Sequence, residues 1–324
     1  MHILVTGGAG YIGSHTAKAL AQAGLKPIVI DNLQRGHREA VQWGPLIEAD
    51  IGDRSALDGV FTQYSIEAVL HFAAFTYVGE SMQSPDLYFR NNTLSTLNLL
   101  EAMQAHRVRK IVFSSTCATY GNPLQIPISE DHPQDPVNPY GESKRMVERL
   151  LYWWGASYGL KWVALRYFNA AGADPEGELG ENHNPETHLV PLAISAAQGL
   201  NSLQIYGTDY DTPDGTAIRD YLHVTDLATA HLEALRYLDA GRESAAFNLG
   251  TGLGHSVREV ITMVERIGGQ KVPAKEVGRR AGDPPSLVAD ARKSAELLSW
   301  RPRHSSLEEI VQTAWNWKAR SSAR

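Results

Sequence analysis

The sequence predicts an α/β fold built on a doubly wound, mostly parallel sheet with helices on both faces. Short runs of apolar and β-branched residues recur along the first half of the chain, each separated from the next by a helix-like or loop segment. These runs are residues 3–5, 28–30, 46–47, 68–72, 111–113 and 162–165. Strands that alternate with helices in this way pair in parallel and are covered on both faces. A glycine-rich turn after the first run is the second observation.

That turn connects the first strand to a helix-like segment, residues 14–23, and reads Thr6-Gly7-Gly8-Ala9-Gly10-Tyr11-Ile12-Gly13. Gly7 and Gly8 can adopt backbone angles that are closed to other residues. Gly10 would let a pyrophosphate approach the main chain, and Gly13 would let the helix pack on the strand. The free N–H groups at the helix start would face the phosphates. The turn therefore predicts a Rossmann-type dinucleotide site.

Asp31 ends the second apolar run, about 20 residues beyond the glycines, where this fold places the acid that holds the adenosine ribose. Its carboxylate would repel a 2′-phosphate, which favours NAD. Arg35 is close enough in sequence to keep NADP as the alternative. A turn residue in the Asp-Asn pair is the other interpretation of Asp31.

Further candidate cofactor contacts follow the third and fourth runs. Asp50 and Ile51 come directly after residues 46–47, and Phe72-Ala73-Ala74 close the run at 68–72. The carboxyl ends of parallel strands border the ligand crevice in such sheets. Simple packing remains an equal interpretation for the two alanines.

Composition excludes several classes of protein. The chain has 324 residues, 43% of them hydrophobic, and no run near the ~18 apolar residues that cross a bilayer. A net charge of −6 argues against a nucleic-acid partner. The single cysteine, Cys117, excludes an intrachain disulfide and fits a reducing compartment. Because the first strand begins almost at Met1, we expect no signal peptide and a cytoplasmic protein.

Two domains are predicted. Residues 1–168 form the dinucleotide-binding domain, and residues 169–324 form mainly a smaller C-terminal α/β lobe for the substrate, with later segments returning to the first domain. The composition changes after Phe168, where residues 170–186 are rich in Gly, Pro and acids.

Two long helices are predicted at residues 84–106 and 140–158. Each has apolar residues on more than one face, so each needs a partner besides its own sheet. A homodimer built from both helices would supply that partner, while burial under the C-terminal lobe is the alternative.

Tyr140 and Lys144 are four residues apart and therefore share one helix face. An ammonium and a nicotinamide cation nearby would lower the pKa of the phenol from ~10 and make it a useful base. Upstream, the strand at 111–113 ends in Ser114-Ser115-Thr116, whose hydroxyls would lie beside the crevice. An ordinary surface pair and common turn-forming residues are the alternatives for these two groups.

Together, the glycine turn, Ser114 to Thr116 with Tyr120-Gly121, the Tyr140/Lys144 pair and Leu165-Arg166-Tyr167-Phe168-Asn169 resemble the extended short-chain dehydrogenase/reductase family. Within it, the chain is similar to the NAD-dependent nucleotide-sugar epimerases, over essentially its whole length. This resemblance implies a Rossmann-type fold and an isomerase that inverts carbon 4 of a UDP-sugar through a transient 4-keto intermediate. UDP-glucose and UDP-galactose are the expected pair, with UDP-xylose and UDP-arabinose as the alternative.

The resemblance also implies roles for individual residues. Tyr140 would be the base, Lys144 would hold the nicotinamide ribose, and Thr116 would bind the 4-oxygen of the sugar. The implied NAD contacts are Gly7, Gly10, Tyr11, Ile12, Gly13, Asp31, Asn32, Asp50, Ile51, Phe72, Ala73, Ala74, Asn91, Tyr140, Lys144 and Phe168. The implied UDP-sugar contacts are Thr116, Asn169, Leu189, Gln204, Tyr206, Arg219, Arg280 and Asp283. No metal site is predicted.

The sequence gives less support to two other functions. A nucleotide-sugar 4,6-dehydratase of this family usually has an Asp-Glu pair after the active-site hydroxyl, whereas Cys117-Ala118 follow Thr116 here. A non-catalytic dinucleotide sensor could dispense with Tyr140 and Lys144. The chain also departs from the family pattern at Thr76, where a lysine is common, at Thr116, where serine is usual, and at Leu287, which bounds the sugar pocket.

Overall fold

A computed structural model of the protein describes residues 1–280 and 283–321. Residues 281, 282 and 322–324, the last three of which end the predicted lobe, lie outside the described part. The strands, in chain order, are β1 (His2–Thr6), β2 (Lys26–Asp31), β3 (Leu46–Glu48), β4 (Ile66–His71), β5 (Lys110–Thr116), β6 (Lys161–Tyr167), β7 (Asn169–Ala171), β8 (Leu203–Tyr206), β9 (Ile218–Arg219), β10 (Tyr221–His223), β11 (Ala245–Leu249), β12 (His255–Ser256), β13 (Ala274–Val277) and β14 (Ser286–Leu287).

Helices fill the connections between these strands. They are α1 (Tyr11–Gln22), α2 (Arg54–Gln63), α3 (Val78–Gln83), α4 (Pro85–Tyr88), α5 (Ser95–Ala105), α6 (Pro139–Tyr158), α7 (Leu189–Ala197), α8 (Val224–Asp239), α9 (Val257–Gly268), α10 (Arg292–Leu297) and α11 (Leu307–Ser321), with a π-helical segment at Phe89–Leu94 and 3₁₀ turns at Arg38–Ala40 and Cys117–Tyr120.

Seven strands form one parallel sheet in the order β11-β6-β5-β4-β1-β2-β3. Buried apolar side chains cover both of its faces. The doubly wound fold predicted from the alternating runs is confirmed. The strand order reverses between β1 and β4, which opens a crevice at their carboxyl ends.

The seventh strand, β11, was not among the predicted runs. It reaches the sheet beside β6 only after the chain has passed through the smaller lobe. In that lobe, α7, α9 and α11 share an apolar core, and the short strands form three small sheets. The domain boundary at residue 168 stays a prediction.

The stretch predicted as one helix at 84–106 is helical from residue 85 to residue 105, but it is not a uniform α-helix. The π-helical segment interrupts it between α4 and α5. The helix predicted at 140–158 matches α6, which begins with Pro139 behind an Asn138 cap and ends at Gly159 with φ +71°. None of the helices described has the length and apolar character needed to cross a membrane.

Candidate active site

The glycine turn closes tightly between β1 and α1. Gly7 has φ +70°, and a Cβ there would lie 2.6 Å from the Ala73 backbone nitrogen. A Cβ on Gly13 would lie 2.3 Å from the carbonyl oxygen of Gly7. Only glycine fits at these two points, because any side chain would force α1 away from the sheet.

The N-terminus of α1 is shaped for a phosphate. Gly10 occupies the cap position in extended geometry, and no side chain caps the first N–H groups. The space beside Gly10 is open, since a Cβ there would meet only the Gly7 carbonyl oxygen, at 3.3 Å. Exposed backbone donors at a helix N-terminus bind anions, so this turn fits the pyrophosphate of NAD.

Asp31 lies at the end of β2, facing the turn. Its carboxylate accepts hydrogen bonds from the backbone N–H groups of Ala9, at 3.0 Å, and Leu33, at 2.9 Å. Burial raises the pKa of this carboxyl, although the two backbone donors oppose the shift. Arg35, the residue that kept NADP as an alternative, forms an ion pair with Glu80 at 2.7 Å and lies over the Tyr77 ring.

The polar side chains after β2 and β3 meet beside a cavity of about 320 Å³. Asn32 donates to the Asp50 carboxylate at 2.7 Å, and Asp50 also accepts from the backbone of Gly52. Asn91 and Phe75 line the same cavity. Carboxylate and amide groups beside an apolar ring could hold an adenosine.

Asn92, which follows Asn91 in the π-helical segment, connects parts of the site through its side-chain hydrogen bonds. Its side chain accepts from the Phe75 backbone nitrogen at 2.8 Å and donates to the Phe75 carbonyl and the Ser143 hydroxyl, both at 3.0 Å. Asn92 therefore ties the strand end after β4 to α6. The sequence singled out Asn91 but missed Asn92, whose role depends on three distant segments.

The remaining predicted cofactor residues cluster at the strand ends. Phe72 packs on His231, with ring centres 4.6 Å apart. Ala73 and Ala74 follow it, and Ile51 and Phe168 are buried at the ends of β3 and β6. Tyr11 donates to the Gly172 carbonyl at 2.5 Å, and Ile12 packs on the core beside it. The structure thus brings the predicted cofactor residues to one edge of the sheet.

Tyr140 lies in the first turn of α6, against the end of β5. A Cβ on the adjacent Gly141 would lie 2.4 Å from the Ala118 carbonyl oxygen, so α6 is in direct contact with the 3₁₀ turn at Cys117–Tyr120. Burial raises the pKa of Tyr140 to about 12, while a hydrogen bond with Thr116 acts in the opposite direction. The Thr116 hydroxyl oxygen also accepts from the Ala118 N–H at 3.1 Å.

Lys144 lies one turn further along α6. Its ammonium donates to the Ser114 carbonyl oxygen at 2.8 Å and lies 4.9 Å from the centre of the Phe113 ring. Burial lowers the pKa of Lys144 to about 7. The lowered phenol pKa expected from the sequence is therefore not a property of the protein alone, because burial of Tyr140 outweighs the opposing hydrogen bond with Thr116.

A buried network of ion pairs and hydrogen bonds links α6 to β5 and β6, the elements that carry Tyr140, Lys144 and Thr116. Arg166 binds the Glu148 carboxylate through two nitrogens, at 3.0 and 2.6 Å, and Ser115 donates to the same carboxylate at 2.6 Å. Arg166 also donates to the Tyr120 hydroxyl at 2.9 Å. Sequence analysis missed Glu148, which continues the four-residue spacing of Tyr140 and Lys144 on α6.

The predicted substrate residues form two groups. Arg219 binds Asp283 and lies near enough to Cys117, which follows Thr116, to influence its pKa. Arg280 lies over the Tyr206 ring at 3.8 Å, and the Tyr206 hydroxyl donates to Gln204. Among the described contacts, none joins either group to the Tyr140 phenol. Asn169 and Leu189 begin β7 and α7.

Known proteins match both the sequence and this architecture. The model of the NAD dependent epimerase/dehydratase family matches residues 3–250. A UDP-glucose 4-epimerase of Lacticaseibacillus casei is 52% identical over 319 residues, which span 98% of this chain and 96% of that protein.

Two solved structures have the same fold. UDP-glucose 4-epimerase from Brucella ovis, in complex with NAD, is 51% identical with a TM-score of 0.95, over 97% of each chain. UDP-glucose-4-epimerase from Stenotrophomonas maltophila, with bound NAD and formylated UDP-arabinopyranose, is 40% identical with a TM-score of 0.96, over 100% of each chain. Because the family model covers most of the chain and close relatives span nearly all of it, this protein belongs to the NAD dependent epimerase/dehydratase family.

Proposed function

We propose that the protein is an NAD-dependent isomerase that inverts carbon 4 of a UDP-sugar and interconverts UDP-glucose and UDP-galactose. The observation that carries the proposal is the meeting of Tyr140, Thr116 and Lys144 at the end of β5, on the same edge of the sheet as the glycine turn after β1. Relatives that share about half of its residues are UDP-glucose 4-epimerases.

In this proposal Tyr140 takes the proton of the 4-hydroxyl group and later returns it. Thr116 hydrogen bonds to the same oxygen and keeps it against the phenol. NAD, when bound, supplies the reversible oxidation and reduction of carbon 4. Lys144 holds the nicotinamide ribose, and its charge favours the ionised phenol. No second substrate is consumed, so the net reaction is an isomerisation.

The smaller lobe holds the nucleotide. Arg219 and Arg280 could form charge-assisted hydrogen bonds to the diphosphate, and the Tyr206 ring could lie against the uracil. Both arginines already have polar or aromatic neighbours that orient them, Asp283 for Arg219 and Tyr206 for Arg280. Asn169, Leu189 and Gln204 complete the proposed site.

A UDP-pentose is the second candidate substrate. The Stenotrophomonas relative was solved with a UDP-arabinopyranose derivative and has the same overall fold. A pentose lacks carbon 6 and would leave part of a hexose pocket empty, so we expect UDP-galactose to be converted faster.

The test is conversion of UDP-galactose by purified, tag-free protein without added NAD. We expect UDP-glucose to accumulate to equilibrium, because the cofactor is regenerated within each turnover. A 4-keto-6-deoxy product would indicate a dehydratase instead. No product, even after NAD is supplied, would contradict an enzymatic function.

We further propose that the protein pairs as a homodimer through α5 and α6. Large apolar side chains remain exposed on α6 and at the end of the π-helical segment that leads into α5. They are Met146 and Trp153, at 40% and 55% exposure, and Leu94, at 48%. The C-terminal lobe does not cover them, which weighs against the alternative of burial within the chain. We also propose a cytoplasmic location, which the lone, buried Cys117 favours.

A further inference from the structure

Four possible metal ligands converge in the loop before α7. They are Glu181, His183, Glu186 and His188, which we call the His–Glu cluster. Glu181 is almost fully buried, with 6% of its side chain exposed, and His183 and Glu186 are each 18% exposed. The sequence analysis predicted no metal and passed over this loop, although the Glu-x-His-x-x-Glu-x-His spacing is visible in it.

The donor atoms are arranged as a coordination shell would be. One ligand atom from each residue lies within 4.8 Å of all the others. His183 Nδ1 is 3.0 Å from Glu181 Oε1 and 3.9 Å from Glu186 Oε1, and His188 Nδ1 is 3.5 Å from Glu186 Oε1. A tetrahedral zinc site with bonds of 2.0–2.1 Å separates its ligands by roughly 3.3 Å. These three distances bracket that value, whereas His188 Nδ1 and Glu181 Oε1 are in direct hydrogen-bond contact and would have to move apart around a metal.

With both imidazoles neutral, as metal ligands must be, the two carboxylates give the cluster a charge that a divalent cation balances. Within the described residues, the ion pairs of Glu181 and Glu186 are formed with the two imidazoles. A second acidic group, formed by Asp174, Glu176 and Glu178, shows the contrast. Its donors are carboxylate oxygens without an imidazole, and the Lys18 ammonium already lies among them, 2.8, 2.5 and 2.7 Å from the three carboxylates.

Surrounding contacts hold the ligands in place. Trp317 of α11 donates to the Glu181 carbonyl oxygen at 3.0 Å. The His183 ring lies edge-on between the rings of Tyr11 and Tyr77, each 6.2 Å away. The Glu186 carboxylate accepts from the backbone N–H of His188 at 2.9 Å. A metal bound here would meet ligands that are already oriented.

We propose that the His–Glu cluster is a structural zinc site. Two imidazole nitrogens and two carboxylate oxygens form a donor set that suits Zn²⁺. All four ligands come from the protein, so the site has no open position for a substrate. Mg²⁺ and Ca²⁺ prefer shells made only of oxygen and do not fit the two imidazoles.

Zinc at this position would link the two lobes. The cluster joins the loop before α7 to Tyr11, the first residue of α1, and to α11 through Trp317. Leu189, a proposed substrate contact, directly follows His188. The metal would therefore fix the start of α7 relative to the glycine turn, without taking part in the reaction.

The test measures metal in full-length, tag-free protein grown with zinc. We expect about one Zn²⁺ per chain by mass spectrometry of the metal content. Chelator-treated protein should rebind Zn²⁺ and should give the visible absorption of tetrahedral Co²⁺ when cobalt is supplied instead. Its thermal unfolding midpoint should rise when the metal returns, since only the folded state holds the site.

Matched variants locate the binding. His183→Gln should weaken Zn²⁺ binding by at least about 100-fold, the upper end of what loss of a mere supporting contact costs. Glu176→Gln removes a carboxylate from the acidic group around Lys18 and should bind like the wild type. Circular dichroism checks that both variants fold.

Two results would overturn the proposal. One is wild-type protein that neither contains zinc nor takes up Co²⁺ into a tetrahedral site. The other is a folded His183→Gln protein that keeps wild-type affinity, which would put the metal elsewhere. Neither result bears on the proposed epimerase activity, which is measured separately.

Discussion

At the scale of single residues, Tyr140 and Lys144 are both held in forms that oppose catalysis until ligands arrive. Burial raises the pKa of the phenol to about 12 and lowers the pKa of the ammonium to about 7. Polar groups of the cofactor and substrate would solvate the ammonium and keep it charged. A charged Lys144 then favours ionisation of Tyr140. In the proposed mechanism, ionisation of Tyr140 would thereby depend on binding of the cofactor and substrate.

Replacing Tyr140 by phenylalanine tests its role as the base. Tyr140→Phe keeps the ring and removes the ionisable oxygen, so the fold and NAD content should be unchanged. We expect kcat to fall by about 10²–10⁴-fold, as is typical for loss of a general base. Steady-state conversion of UDP-galactose measures the effect.

Tyr158→Phe is the control for this experiment, because Tyr158 is on the same helix and 48% exposed. It should have wild-type activity. If Tyr140→Phe stayed within a few-fold of the wild type, another group would have to be the base.

The position of Leu287 leads to a prediction about which UDP-sugars the protein accepts. It pairs with Arg219 in the sheet register and packs on the cluster that contains Cys117, Tyr120 and Phe168. It therefore lies between the proposed reaction centre and the proposed nucleotide site, as expected for a wall of the sugar pocket.

Leu287→Ala should increase turnover of UDP-N-acetylglucosamine relative to UDP-glucose. An apolar wall discriminates by about 10–200-fold for each misfitted methylene-sized group, so the wild type should use the acetylated sugar weakly. The ratio of kcat/KM for the two sugars measures the change. Leu253→Ala, at a site 66% exposed, should leave that ratio unchanged. Equal wild-type efficiency on both sugars would contradict the prediction.

Sequence patterns reach some of these residues and not others. Tyr140 and Lys144 are predictable because their four-residue spacing is local. Glu148 and Arg166 are not, because their partnership joins α6 to β6 and becomes visible only when the strands are ordered. The His–Glu cluster lies within eight residues, but whether its side chains converge depends on how the loop folds.

At the scale of elements, apolar runs predicted six strands because parallel strands are buried on both faces. β11 was not predicted because its five residues, Ala-Ala-Phe-Asn-Leu, contain only two large apolar side chains, Phe247 and Leu249, with Asn248 between them. The π-helical segment was not predicted because the spacing of apolar residues does not distinguish a short i→i+5 hydrogen-bonded stretch from an α-helix. Asn92 lies in that segment, and its side chain forms hydrogen bonds with Phe75 and Ser143. π-Helical segments are often found at functional sites.

The exposed apolar stripe of α6 supports the dimer prediction. Met146 and Trp153 are seven residues apart on one face of the helix, and both are exposed. A double variant, Met146→Glu with Trp153→Glu, would place four carboxylates in a two-fold interface. We expect equilibrium sedimentation to give a dimer for the wild type at micromolar concentration and a monomer for the variant.

Leu200→Glu is the control, since Leu200 is 67% exposed and lies after α7, away from both helices. It should remain dimeric. A monomeric wild-type protein would contradict the prediction.

At the scale of the whole molecule, four buried histidines stay neutral in the layers around the sheet. Burial lowers the pKa of His15, His223 and His231 to about 4 and that of His71 to about 3. Each of them gains a proton more readily when the chain is unfolded. The folded state should therefore lose stability in mild acid, through protonation of histidines in both lobes.

The contribution of His231 to the pH dependence of stability can be measured separately. Its ring is fully buried between Phe72 and Tyr167, and its Nε2 has no hydrogen-bond partner in the described structure. The unfolded chain binds a proton below pH 6.5, whereas folded His231 does so only near pH 4, so its contribution is complete above 6.5 and declines as the pH falls toward 4. Between about pH 7.5 and about pH 5, this single group should remove about 2 kcal/mol from the free energy of unfolding.

His231→Leu keeps the site apolar and removes the titration. Its stability at neutral pH will differ by a constant, but urea unfolding should show a pH dependence shallower than that of the wild type by about 2 kcal/mol over that interval, since every other group titrates alike in both proteins. His37→Leu makes the same replacement at a histidine whose side chain is 37% exposed and is the control for the loss of a histidine in itself. Parallel curves for wild type and His231→Leu would mean that His231 is already protonated, or freely solvated, in the folded protein.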